Sequence, residues 1–299
     1  MLFAACLLPV SCNRESLEMN SDSPTAGELK IYCDEGLAPH VRNQAATFES
    51  QYPDVSIRLF ERGEPEAIMA LYNDSCEAIV ISRLLGKKEL KAFEAKGLFP
   101  RYSAVVKSGV AVIANAATPL AYVTTAEIRE LITIDGAVKD TMLNAVKLNV
   151  LLDGNSGAVH YLVDSVVKGK ISPHCSVLPD AAAVISYVAS NSNAIGFIDF
   201  AWISDADDPL YKKIIGKIRL LGVSDGKGKP ELPSQSSFKL GTYPFTRTVY
   251  VMRKTGEFTT AKGFESFVAG PKGQLTFLKQ GLLPIRQAER NISIKTEEE

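Results

Sequence analysis

Tyr243-Pro-Phe-Thr-Arg-Thr-Val-Tyr-Val-Met252, followed by Phe267-Val-Ala-Gly-Pro-Lys-Gly-Gln-Leu-Thr-Phe-Leu-Lys-Gln-Gly-Leu-Leu-Pro-Ile285, is the stretch that decides the fold. Its first piece is a Tyr-Pro entry into a strand rich in β-branched and aromatic residues. Its second is a helix that runs out through Gly-Pro-Lys-Gly-Gln into Gly-Leu-Leu-Pro-Ile. No residue of either piece is expected to supply ligand chemistry. Their value is architectural.

Upstream, short strands alternate with helices. Glu28–Cys33 reads as a strand, broken at Asp34-Glu35-Gly36, and Pro39–Phe48 has helical spacing. Asp54–Phe60 alternates as a second strand, Pro65–Tyr72 is helical, and Glu77–Ile81 is a buried strand. Gly109–Asn115 is another strand, and Thr124-Thr125 caps a helix to Ile132. Lys147–Leu152 is a strand ending at Asp153-Gly-Asn-Ser-Gly157, with a helix over Ala158–Val167. Ala181–Ser190 is helical and leads into Asn193–Ile198. This alternation implies βαβ units and a mostly parallel sheet. Asp225–Gln235, rich in Gly, Lys and Pro, is a loop.

The 299 residues carry a formal net charge of −1, which gives no reason to expect nucleic-acid binding. No apolar run reaches the roughly 18 residues of a membrane span. Met1–Val10 is apolar and Ser11-Cys12 follows, as in a lipoprotein signal with Cys12 the lipidated residue. Asn13–Gly27 is too polar to bury a core and reads as a tether. Cys33, Cys76 and Cys175 are read as two buried small hydrophobes and a loop thiol. His40, His160 and His174 form no recognisable triad, so no enzyme is expected. No metal or cofactor is expected either.

The closing stretch, taken with Tyr52–Ile57, Ala78–Arg83, Ser108–Asn115, Thr124–Leu131, Gly154–Gly157 and Asn193–Phe197, resembles the periplasmic phosphate-binding proteins, the solute receptors of bacterial phosphate ABC importers. The resemblance covers residues 28 to 286. It implies an α/β, type II periplasmic-binding-protein fold, two α/β lobes with mixed sheets and two crossing strands. The divisions would be 1–12 signal peptide, 13–27 tether, 28–113 plus 244–287 first lobe, 114–243 second lobe and 288–299 acidic tail. It further implies a monomer outside a bacterial membrane, lipid-anchored in the periplasm or at the cell surface, with a small-molecule solute and an ABC permease as partners.

Such receptors hold phosphate or another oxyanion with helix N-termini, hydroxyls and an Arg. Four loops of this chain stand where those groups belong. Asp34-Glu35 replaces the usual Gly-Ser or Gly-Thr of the first. In the second, only Gly63 survives beside Arg62, among Glu61, Glu64 and Glu66. Ser82-Arg83 matches the third. Asn155-Ser156-Gly157 keeps the Gly-x-Ser-Gly skeleton of the fourth, but Asp153 stands near the position of an Arg and Ala158 where a Thr is usual. Like charges about 4 Å apart repel by roughly 1 kcal/mol in water and more when desolvated. The expectation is a retained scaffold with an eroded phosphate site. The alternatives left open are a genuine oxyanion receptor, a receptor for a cation, amine or neutral polar solute, and a surface sensor or interaction protein.

Overall fold

The computed structural model describes residues 22–133, 149–154 and 156–286. The expectations placed on Cys12, on Asn155 and on the 288–299 tail lie outside them.

In chain order the strands are β1 (Gly27–Asp34), β2 (Val55–Arg62), β3 (Ala78–Ile81), β4 (Arg101–Asn115), β5 (Tyr122–Thr124), β6 (Asn149–Asp153), β7 (Ser176–Leu178), β8 (Ala194–Asp199), β9 (Ile218–Leu220), β10 (Gly222–Ser224), β11 (Thr246–Arg253) and β12 (Leu283–Pro284). The helices are α1 (Ala38–Gln51), α2 (Glu64–Tyr72), α3 (Lys87–Ala95), α4 (Thr125–Ile132), α5 (Gly157–Tyr161), α6 (Ala181–Ser190), α7 (Pro209–Ile214), α8 (Gln235–Leu240), α9 (Thr260–Ala269) and α10 (Pro271–Lys279). After α5 the backbone continues in wider π turns over Leu162–Val167.

The main sheet runs β2-β1-β3-β11-β4-β8-β6-β7, with β9 and β12 also on β4. β1, β2 and β3 are parallel, as are β6, β7 and β8. β4 joins these two parallel portions. Its first part, Arg101–Gly109, pairs antiparallel with β11, and Val110–Ala114 pairs antiparallel with β8. Val110–Ala114 is buried on both faces, as a strand covered on either side must be.

The closing stretch seals the first portion. Phe48 of α1 packs against Phe264 and Phe267 of α9 at ring-centroid distances of 5.7 and 5.2 Å. Gln274 of α10 donates to the carbonyls of Val105 and Val268, each at 2.8 Å. A Cβ at Gly273 would lie 2.6 Å from Val268 Cα, so only glycine lets α10 approach α9 this closely. Tyr243 donates to the Val110 carbonyl at 2.6 Å. Thr124 and Glu127 form a reciprocal capping box at the start of α4, as the Thr-Thr signal implied. Cys33 and Cys76 are free and buried, and Cys175 is free and half-buried.

Candidate functional site

Parallel strands gather their functional groups at their carboxyl ends. Here β1 ends at Asp34, β3 at Ile81 just before Ser82, β6 at Asp153 and β8 at Asp199. β11 runs antiparallel to β3 with Tyr250 opposite Ile81, so Arg247 near its start reaches the same rim. Both portions of the sheet therefore meet at one point.

Arg247 is 4% exposed. Its Nη2 is paired with Asp199 Oδ2, and its Nη1 donates to Ser82 Oγ at 2.6 Å. Ser108, opposite Arg247 across the β4–β11 ladder, donates to the other Asp199 oxygen at 2.7 Å. The closing stretch, expected to supply no ligand chemistry, contributes a buried side chain to this rim. It brings the buried guanidinium at the centre of the rim. Arg247 shares parity with Val249 and Val251, all inward-facing in β11, and an Arg in an apolar stripe was the signal for it. Asp199 was missed as well, the last residue of a fully buried strand.

Asp34 is fully buried. One oxygen accepts from Gly36 N at 3.3 Å, and the two oxygens accept from Gly157 N at 2.9 and 3.0 Å. The carboxyl of β1 therefore sits on the first N–H of α5, where the resemblance puts an anion. A Cβ at Gly157 would lie 2.5 Å from Asp34 Oδ2, 2.7 Å from Glu64 Oε2 and 2.9 Å from Ser82 Oγ. Side chains of the protein itself fill the centre.

Ser82 is buried and lies within hydrogen-bond reach of Glu64 Oε2. Arg83 Nε donates to Glu64 Oε1 at 2.6 Å, and its two outer nitrogens hold Glu89 at 2.7 and 2.8 Å. That fork is fully committed to carboxylates. Ser156 is buried as the N-cap residue of α5. Arg62 and Gly63 stand apart from the centre. Arg62 is exposed and donates to the Glu61 carbonyl at 2.8 Å. Both line a side cavity with Glu35. Among the described residues, no cluster of His, Cys, Asp and Glu could hold a metal ion.

Burial pushes the Asp34 carboxyl up to about 8. Arg247 and the Gly157 N–H oppose that rise, and Glu64 and Asp199 contribute to it. Burial also pushes Glu35 up to about 9, helped by a hydrogen bond to Asp153 and opposed by the Ala181 N–H. At neutral pH both carboxyls hold protons that the unfolded chain has released. Their stabilising contribution is full below about pH 4 and is lost as pH rises through about 8 for Asp34 and about 9 for Glu35. Thermal melts from pH 5 to 9.5 should show this falling limb, and Asp34→Asn should flatten it around pH 8. An unchanged slope in Asp34→Asn would exclude Asp34 as its source.

Residues 19–272 match the model of the PBP superfamily domain. Protein SphX of Synechococcus elongatus is 24% identical over 94% of this chain and 85% of its own length. The phosphate-binding protein PstS of Pseudomonas aeruginosa is 24% identical over 90% of this chain and 86% of its own. A Clostridium perfringens substrate-binding protein solved with bound phosphate superposes with a TM-score of 0.72 at 19% identity, covering 87% of this chain and all of that one. That superposition shows the fold. The family model spans most of the chain, and this protein therefore belongs to the PBP superfamily.

Proposed function

We propose that this chain is the solute-binding component of an ABC-type phosphate uptake system, with the inherited oxyanion position now held by its own Asp34. Relatives named for phosphate binding support the class. The two-oxygen seat of Asp34 on Gly157 N is the single observation that supports the erosion. Among the described residues the only guanidinium at the centre, Arg247, is already engaged by Asp199 and Ser82. A phosphate would have to displace one carboxyl and approach two more, Glu64 and Asp199.

The two lobes in this reading are 28–113 plus 244–287 and 114–243, joined through β4 and the entry to β11. Motion between them would come from rotation about a few linker residues. The protein would be a monomer with no catalytic activity, tethered by lipid on Cys12 outside a bacterial membrane and docking to a permease.

Phosphate should bind at least about a hundredfold more weakly than at a fully matched site, roughly 2.7 kcal/mol. Asp34→Ser, which frees the Gly157 N–H and removes a carboxyl, should regain about tenfold or more of that, roughly 1.4 kcal/mol. Titration calorimetry with phosphate and sulfate reads both. Submicromolar phosphate binding by the wild type would overturn the erosion. A phosphate affinity unmoved in Asp34→Ser would overturn the role given to Asp34.

A further inference from the structure

The rim lies at the carboxyl ends of β1 and β3, and the opposite end of the first portion carries features that the solute site does not use. β11, antiparallel to β3, ends there, with Arg253 opposite Ala78. α1 starts beside the rim and runs 14 residues to Gln51, about 20 Å along its axis. Gln51 and Tyr52 line an open groove of about 640 Å³ with Pro24, Phe267, Lys262 and Lys272.

Beside the groove, the loop after β11 presents Phe258, which is 83% exposed. Glu257, next to it in sequence, lines the groove. The loop is braced from inside by Arg253, itself buried. Arg253 Nε donates to Glu265 at 2.6 Å, and its Nη1 donates to the carbonyls of Lys254 and Gly256 at 2.9 and 2.7 Å. A ring held out into water next to an apolar groove makes a contact face rather than a stray surface residue.

The N-terminal segment joins the structure at the same place. The Thr260 N–H, two residues after Phe258, donates to Asp22 Oδ1 at 2.8 Å. Pro24 lies directly against Gly263 of α9. Asp22 is ten residues beyond Cys12, and ten residues span at most about 35 Å when fully extended.

We infer that the Phe258 loop and its groove form a membrane-contact face. Phe258 enters the interfacial layer of the bilayer that Cys12 anchors, and Lys262 and Lys272 meet the lipid headgroups. The inference rests on the reading of Cys12 as the lipidated residue. Because Asp22 is fastened beside Phe258, the tether delivers this face to the bilayer, and the rim faces the solution. A short tether holds its two ends at an effective concentration on the order of millimolar, at which a contact too weak to last alone is occupied. An apolar side chain flanked by Lys suits such an interface, since the ring leaves water while the ammonium groups reach phosphates. Lys262 also holds Glu265 at 3.3 Å, which leaves Lys272 as the probe of the headgroup contact.

The test uses the lipidated chain from the membrane fraction, reconstituted in vesicles of phosphatidylcholine and phosphatidylglycerol. The phosphatidylcholine is brominated on its acyl chains, so that it quenches any indole that reaches them. The chain has one Trp, Trp202, bonded to the Glu35 carbonyl at the rim, and its emission should stay unquenched. Phe258→Trp changes a surface side chain on which the fold does not depend. Its added emission should move to the blue and lose about half its intensity or more, as a seat of millimolar affinity implies. Adding Lys272→Gln should lower that quenching, and should matter less in high salt or in phosphatidylcholine alone. An unquenched added indole, with mass spectrometry finding lipid on Cys12, would overturn the inference and leave the anchor standing. Absence of lipid from Cys12 would sink the anchor reading and the inference with it. Equal quenching of Trp202 in the wild type would show that no one face meets the bilayer and would overturn the inference alone. A blue shift in the vesicle-free Cys12→Ala, Phe258→Trp chain that grows with protein concentration would assign the face to a second copy and overturn it as well.

Discussion

Replacing Arg247 with Ala should cost about 3–5 kcal/mol of folding stability, the largest single-site loss expected at the rim. The reason is what it leaves behind. Asp199 is fully buried, and only the Ser108 hydroxyl and the Ala201 N–H would remain on its carboxylate. Desolvating an uncompensated charge costs far more than the pair contributes while intact. The double replacement Arg247→Met with Asp199→Leu should therefore be much less damaging than Arg247→Ala alone. Urea unfolding of the three proteins measures this. If the double variant lost as much as the single one, the rim would depend on the pair itself rather than on mutual neutralisation.

Gly157→Ala should force the two portions of the sheet apart at the rim. The added methyl would overlap the Asp34 and Glu64 carboxyls and the Ser82 hydroxyl, all within 2.9 Å. Overpacking of this kind costs about 1–3 kcal/mol. The site-specific readout is hydrogen exchange at amide 157, which loses its carboxyl acceptor and should speed up by on the order of tenfold or more. Adding Asp34→Gly to Gly157→Ala removes the nearest of the three obstacles and should recover part of the lost stability. Unchanged exchange at amide 157 would mean that the Asp34 seat is not what protects it.

The order of elements was legible because it is local. Val249 and Val251 form one inner face of β11, and Phe264 and Phe267 the inner face of α9, both written in periodicity alone. The return to the first portion came instead from the resemblance that the closing stretch carries. The site was less legible because its partners are far apart in sequence. Arg247 meets Ser82 and Asp199 only through the registers of β11 with β3 and β4. Glu61, counted as a free carboxylate, is neutralised by Arg42 across the β2–α1 packing. Arg83 is drawn to Glu64 and Glu89 by the turn between β3 and α3. The Asp34 capping contact was visible as a turn signal. Its reach to Gly157 was not, since it depends on how the two portions close.

The insertion of β11 between β3 and β4 has a consequence for how the chain is made. β3 and the first part of β4 are synthesised early, yet the strand that lies between them belongs to the last fifth of the sequence. At about 5–20 residues per second, a ribosome leaves those two strand edges unpaired for on the order of 10 s or more. Unpaired edges are templates for pairing with other chains. Nascent molecules of this protein are therefore most exposed to aggregation midway through translation, and C-terminal truncation before Thr246 would make that exposure permanent.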